Sequence, residues 1–256
     1  MQIVNVGNAG IYLTDEKQSI LIDGLYGVNE FFHDRPQLLL KAASGQTRSF
    51  RNIDNLLFTH RHQDHFDSQL VNAYIKNNQV GHVYVPAPCQ PGRSYEDTKP
   101  VGTAGNTELF TVGASDEEIF YHPLNDTMWA VFFKTRHMGA DIFSVRHYSL
   151  ALVGNGESYL FMSDADWSCS VRNVQEIIKG TKLKALFVNP LSYIDQAGKS
   201  WMRRIQPESV IVYHIPYTDR GQTGIRALAE EIARCHHTMP WKLHILEHRL
   251  QRLIIN

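Results

Sequence analysis

The sequence predicts an α/β (α+β) architecture in which β-sheets are covered by helices in layers. Three observations predict it: strand-like and helix-like segments alternate near both ends, the middle is β-rich, and no Pro/Ser-rich linker, charge block or low-complexity segment divides the chain. At 256 residues, 43% hydrophobic and 20% charged, the chain is long enough to bury a sizeable core and has ordinary globular composition. Residues 1–256 read as one domain.

The elements follow in order. Gln2–Val6, Ile11–Leu13 and Ser19–Ile22 are short β runs broken by Gly7 and Gly10, and the third stops at the turn signal Asp23-Gly24. A helical piece fits Gln37–Ala43, ending near Gly45, and Asn55–Phe58 is a compact apolar strand. Asp67 and Ser68 are good N-cap residues for a helix through about Lys76, because their side-chain oxygens accept from the orphan N–H groups of a first turn. The middle reads as strands at His82–Val85, Glu108–Val112, Glu118–Tyr121, Trp129–Thr135, Tyr148–Val153 and Tyr159–Met162. Gly154-Asn155-Gly156 joins the last two as a hairpin, since Asn and Gly tolerate positive φ. Helix Val171–Lys179 then precedes strand Ala185–Val188, helix Ser200–Ile205 precedes strand Val210–Tyr213, and a longer helix covers Thr223–Cys235.

Bulk composition excludes more than it selects. A formal net charge of −1 gives no general electrostatic reason to expect DNA, RNA or an anionic membrane as partner. The three cysteines are far apart and odd in number, which argues against a disulfide framework and for a reducing compartment. The N-terminus reads as a strand entering a turn rather than a secretory signal, and no stretch reaches the roughly 18 apolar residues of a membrane span. A cytoplasmic location is expected. The unusual count is 13 histidines.

Several of these histidines fall in Thr59-His60-Arg61-His62-Gln63-Asp64-His65, directly after a strand. In an extended segment, side chains two apart point the same way, so His60 and His62 can share one ion. Asp64 and His65 follow where the chain turns into the helix and face a neighbouring position. Imidazoles with a carboxylate form a donor set that suits zinc first, with manganese or iron as alternatives. The competing reading is a solvated, turn-forming polar loop.

Asp23 followed by Thr59-His60-x-His62-x-Asp64-His65 resembles the metallo-β-lactamase fold superfamily, and the resemblance spans nearly the whole chain. A third motif, His after a strand, fits Thr135-Arg136-His137-Met138-Gly139. The fourth, an Asp after a strand, fits Ser163-Asp164, with Ser163 in a place usually held by Gly. The fifth, a His ending a late strand, fits Val212-Tyr213-His214. The resemblance implies a four-layer αββα sandwich of two mixed β-sheets flanked by helices. It also implies two divalent metal ions, with His60, His62 and His137 on one and Asp64, His65 and His214 on the other. Asp164 and a water or hydroxide would bridge them. Paired cations lower the pKa of a shared water and polarise the oxygen under attack. Asp64 and Asp23 are the candidate catalytic carboxylates. Asp64 would orient the nucleophile or relay its proton, and Asp23 would hold a ligand histidine or the loop from behind.

Rivals exist for two positions. His147 also adjoins a strand, but it leaves little room for the hairpin that must separate the third motif from the fourth, so His137 is preferred. Asp164 is preferred to Asp166 because it sits immediately at the strand end. Cys235-His236-His237 reads as a helix-end surface cluster rather than a metal site.

The resemblance narrows to stand-alone hydrolases similar to the ascorbate-6-phosphate lactonase-like group, which commonly has His where Asn8 follows Gly7. Asp164 stands where the main zinc β-lactamase class has Cys. The interval between Asp164 and His214 is too short for the inserted domain of the nucleic-acid-processing branch. The expected function is hydrolysis of a small-molecule ester, lactone or related bond by a metal-bridging hydroxide. A small phosphodiesterase or nuclease and a non-enzymatic metal-binding or sensor protein are the alternatives. A sensor would be expected to lose ligands, and all seven positions are filled. The partner expected is a small molecule, with nucleic acid and membrane disfavoured and oligomeric state open. Tyr26, Phe66, Arg136, Tyr193 and Tyr217 are candidate pocket residues because each lies beside a motif or strand end, and Arg136 facing the site would favour an anionic substrate.

Overall fold

The protein is described from a computed structural model, for residues 1–29, 32–33, 35–89, 95–139, 145–218, 223–235 and 239–255. The first half supplies β1 (Gln2–Gly7), β2 (Gly10–Thr14), β3 (Ser19–Ile22), α1 (Gln37–Ala43), β4 (Asn55–Leu57), α2 (Ser68–Asn77), β5 (His82–Pro86) and β6 (Glu108–Val112). The second supplies β7 (Ile119–Asn125), β8 (Met128–Thr135), β9 (His147–Gly154), β10 (Glu157–Phe161), α3 (Val171–Ile177), β11 (Lys182–Val188), α4 (Pro190–Ile194), α5 (Gln196–Ile205), β12 (Ser209–Val212), α6 (Ile225–Cys235), β13 (Lys242–Ile245) and β14 (Arg252–Ile254).

These strands form two seven-stranded mixed sheets, ordered β14-β1-β2-β3-β4-β5-β6 and β13-β12-β11-β10-β9-β8-β7. Alternation along each strand sorts side chains into three cores. Ile3, Ile11, Ile20, Ile22 and Leu57 of the first sheet meet Phe132, Leu150, Leu152, Phe161, Phe187 and Ile211 of the second between the sheets. The Phe161 and Phe187 rings stack there with centroids 4.1 Å apart. The other faces take helices: Leu39, Val71, Tyr74 and Ile75 cover Leu21, Leu56 and Val83. Val174, Trp201, Met202, Ala229 and Ile232 cover Leu160, Leu186, Val210 and Val212 on the second sheet. The result is the four-layer αββα sandwich. Each fully buried aliphatic or aromatic side chain contributes about 1.5–3 kcal/mol, so each of the three cores matters for stability.

Several boundaries differ from the sequence expectation. β7 runs on through Pro123 to Asn125, with an irregularity in its pairing near its end. It is the terminal strand of its sheet, where a missing N–H costs no ladder bond. α5 begins at Gln196, capped by Asp195 accepting from Ala197 N at 2.9 Å. Gly198 weakens the helical signal there, yet a Cβ at that position would stand 2.3 Å from the Trp167 indole nitrogen, so packing selects it. The edge strands β13 and β14 and the short helix α4 were not anticipated. The N-cap expected at Asp67 accepts from Leu70 N at 3.0 Å. His236 and His237 of the expected surface cluster lie outside the described residues. Among the described residues, no helix is long and apolar enough to cross a membrane.

β3–β6 are mutually parallel, as are β10–β13. Their C-terminal ends leave neighbouring strand ends free to present functional side chains. Asp23 follows β3, His60–His65 follow β4, His137 follows β8, Asp164 follows β10 and His214 follows β12.

Candidate metal centre

Backbone geometry brings these strand ends together. Phe58 N bonds to Tyr84 O and Tyr148 N to Thr59 O, so the start of the His motif is tied to both sheets. His65 N and Phe66 N both donate to His62 O at 2.9 Å, a tight turn that carries Asp64 and His65 past His60 and His62. Met138 N donates to Asp164 O at 2.8 Å and Asp166 N to Arg136 O at 2.8 Å, joining the third motif to the fourth. Asp23, Ser163 and His214 hold φ of +48°, +52° and +61°. Left-handed backbone is uncommon for residues other than Gly, and such conformations cluster at functional sites. Ser163 therefore takes the conformation that the expected Gly would have allowed.

Three donor groups result, each with ligand atoms within 4.8 Å of one another: His60, His62 and His137; His60, His65 and Asp164; and Asp64, His65 and His214. Asp164 Oδ2 is at the middle, 3.0 Å from His65 Nε2, 3.4 Å from His214 Nε2, 3.6 Å from His137 Nε2 and 3.9 Å from His60 Nε2. Asp64 Oδ2 lies 3.7 Å from His214 Nε2 and 3.9 Å from His65 Nε2.

The rings are held from behind. Thr59 Oγ1 donates to Asp23 Oδ2 at 2.6 Å, and it therefore accepts from His60 Nδ1, 3.1 Å away. That leaves the His60 Nε2 lone pair facing the centre. This atom is buried, with no hydrogen-bond partner among the described residues. His65 Nδ1 donates to Asp23 Oδ2 at 3.0 Å, and His137 Nδ1 donates to Met138 O. Asn189 Nδ2 donates to Asp164 Oδ1 at 3.0 Å, leaving Oδ2 for the centre. Such outer partners fix tautomer and ring orientation in metal sites.

Charge follows the same division. Burial and the neighbouring His65, His62, His147 and His137 hold His60 well below its ordinary pKa. Burial, with His137 and His65, pulls His62 down to about 3. Both are neutral, lone-pair-bearing imidazoles at physiological pH, as metal ligation needs. Burial also acts to lower His65, but Asp164, Asp64 and the bonds to Asp164 and Asp23 carry it well above the ordinary value. Burial opposes ionisation of Asp164, and His214 and His65 overcome it, holding the carboxyl well below its usual range. The donor set thus fits divalent cations: neutral imidazoles, ionised carboxylates and a buried lone pair without a proton to accept.

The remaining expected residues are dispersed. Asp23 is fully buried behind Thr59 and His65 and does not reach the donor cluster's inner face. Tyr26 is buried, with its hydroxyl against Gly7. Arg136 is 57% exposed at the side chain, with Nε 3.8 Å from Asp166 Oδ2. Phe66 is in the core against Phe58, with the Arg61 guanidinium 4.5 Å over its ring. α4 turns Leu191 and Ile194 outward and Tyr193 inward, into the helix-covered core with Trp201 and Trp241. Tyr217 lines a cavity beside His214. His147, the rival to His137, is buried 4.9 Å from the His60 ring and 5.5 Å from the His137 ring, outside the three donor groups. Thr59, Ser163 and Asn189 position the donor groups, roles that their places beside the motifs do not reveal. The signal for Asn189 was its place as N-cap before Pro190, where it accepts from Ser192 N at 2.8 Å.

No protein-family model matches the chain, and no curated protein matches it by sequence. Solved structures do match by shape. CmlA, a diiron β-hydroxylase from Streptomyces venezuelae, aligns at TM-score 0.64 and 16% identity over 99% of this chain and 54% of that one. The chain therefore spans about half the length of CmlA. The metallo-β-lactamase fold protein YhfI from Bacillus subtilis aligns at TM-score 0.58 and 11% identity, covering 98% of each chain. Human tRNase Z, short form, aligns at TM-score 0.57 and 13% identity, covering 100% of each. The chain has the metallo-β-lactamase fold.

Proposed function

We propose that the protein is a metal-dependent hydrolase of small molecules, with residues 1–256 acting as one domain. His60, His62 and His137 would hold one divalent ion and Asp64, His65 and His214 a second, with Asp164 shared. Zinc is the first expectation for this donor set, then manganese or iron. When bound, such ions activate water near neutral pH and polarise an oxygen under attack, as ester or lactone hydrolysis requires. The carrying observation is the convergence of all seven side chains, with the His60 lone pair buried and unmatched.

The chain's own groups do the positioning. Asp23 aims His65 directly and His60 through Thr59, and Asn189 turns one oxygen of Asp164 away from the centre. Asp64 presents a carboxylate oxygen beside His65 and His214, where it would accept a proton from the attacking water. Elemental analysis of protein expressed with ample metal tests the reading. About two ions per chain are expected, and none would sink it.

The likeness to CmlA favours a second reading, an iron enzyme using oxygen. The hydrolase reading is preferred because other matched structures, tRNase Z among them, are hydrolases. Iron content with substrate-dependent oxygen uptake would reverse that preference. Turnover of bis(p-nitrophenyl) phosphate in preference to lactones and thioesters would move the substrate to phosphodiesters.

A further inference from the structure

Beside the centre lies a narrow cavity with room for about one water-sized group, lined by Asn8, Phe32, His33, Pro216, Tyr217 and Thr218. Two contacts attach it to the donor cluster. The Phe32 ring packs 4.7 Å from the His214 ring, and Asn8 Nδ2 donates to the peptide oxygen of Asp64 at 2.6 Å. A peptide oxygen only accepts, so this bond fixes the amide with its nitrogen on Asp64 and Oδ1 turned away.

Asn8 Oδ1 has no hydrogen-bond partner among the described residues, and Asn8 is only 4% exposed. Its backbone is at φ +47°, in the turn between β1 and β2, next to Gly7 at φ +139° against Tyr26. A buried carbonyl oxygen in a fixed turn is costly until something supplies its missing donor. The cavity walls add two restrictions. Phe32, Pro216 and Tyr217 are apolar or aromatic, and Arg249 lies 5.0 Å over the Tyr217 ring. Among the described residues no carboxylate lines the cavity, so none of them balances a cation there.

We propose that Asn8 Oδ1 is the recognition group of a substrate subsite, and that the substrate brings to it a small uncharged O–H or N–H donor, a hydroxyl or an amide. This rests on the metal-centre reading, because the rest of the substrate is held at the donor cluster. A site built around a buried acceptor discriminates strongly against analogues that lack the donor, since they leave the acceptor unpaired.

The test uses ω-hydroxycarboxylates of three to five carbons against their ω-methyl ethers, titrated calorimetrically into the metal-loaded protein. The carboxylate addresses the metals and only the far end differs. At one chain length, the hydroxy acid is expected to bind about tenfold tighter or more. Asn8→Gly, which keeps the turn's left-handed backbone, is expected to reduce that preference to about twofold or less, with affinity for the methyl ether retained. Equal binding of each pair by the wild type, or a preference that survives Asn8→Gly, overturns the subsite. Metal content is measured on the same samples. Full loading without preference removes the subsite alone, whereas failure to take up metal removes the centre reading and the subsite with it.

Discussion

The two halves of the centre are built on different chemistry. His60, His62 and His137 form an all-nitrogen half in which His60 and His62 are held neutral. Its backing groups are the hydroxyl of Thr59 and the peptide oxygen of Met138. The half formed by Asp64, His65 and His214 has a carboxylate of its own, Asp164 against it, and Asp23 behind His65. Without a cation, that half satisfies its carboxylates with protons on His65; the all-nitrogen half has no such substitute. On the proposed reading, one half would receive a metal with open lone pairs, and the other would exchange a proton for it.

Changes that break this contrast should have graded effects. Asp164→Ala removes the oxygen nearest to both halves, and metal content should fall below one ion per chain with hydrolysis at background. Retention of two ions would refute the shared role. His62→Ala and His214→Ala each remove a ligand from one half only, so each should lose about one ion by mass spectrometry under native conditions. Loss of both ions from either variant would mean that the halves are not separable.

Asp23→Asn keeps the shape but cannot accept from Thr59 N, Thr59 Oγ1 and His65 Nδ1 together. Metal affinity should weaken by about 10–100-fold, measured by competition with a chromophoric chelator. Acid should act through the all-nitrogen half in chelator-treated protein. His60, His62 and His147 have folded pKa values below the unfolded 6.5, so the unfolded chain binds more protons as pH falls from 6.5 toward about 3. Stability should decline over that window. His65, raised above 6.5, contributes stability that is full below 6.5 and lost only as pH rises through its folded value, so it adds a constant amount across this window and leaves the decline in place. Melting temperatures across this range check the sign. The smallest effect is expected for His147→Ala, which should leave metal content nearly intact because His147 lies outside the donor groups.

The parts of the fold that alternation could reveal were legible. Strands with both faces against a core, such as Ser19–Ile22 and Val210–Val212, carry continuous apolar signals, as does the strand before the His motif. β13, Lys-Leu-His-Ile, and β14, Arg-Leu-Ile, do not, because edge strands are short and half-solvated. Pro123 and Gly198 misled for a related reason: each breaks a local rule at a place where an edge or a neighbouring indole makes the exception inexpensive. The candidate ligand histidines stand out by spacing. The residues that aim them do not, since Thr59, Ser163 and Asn189 act through hydrogen bonds between segments far apart in sequence.

The bond from Tyr148 N to Thr59 O has a consequence for how the molecule is made. It joins the sheets at the His motif, so the first ligands are anchored to a strand synthesised much later. Non-local contacts of this kind form late in folding. When His60–His65 leave the ribosome, neither half of the centre exists, and the last ligand, His214, arrives only with β12. A metal ion bound at this centre would therefore engage tertiary structure already complete, and it would add to the stability of the folded molecule by an amount that grows with its availability.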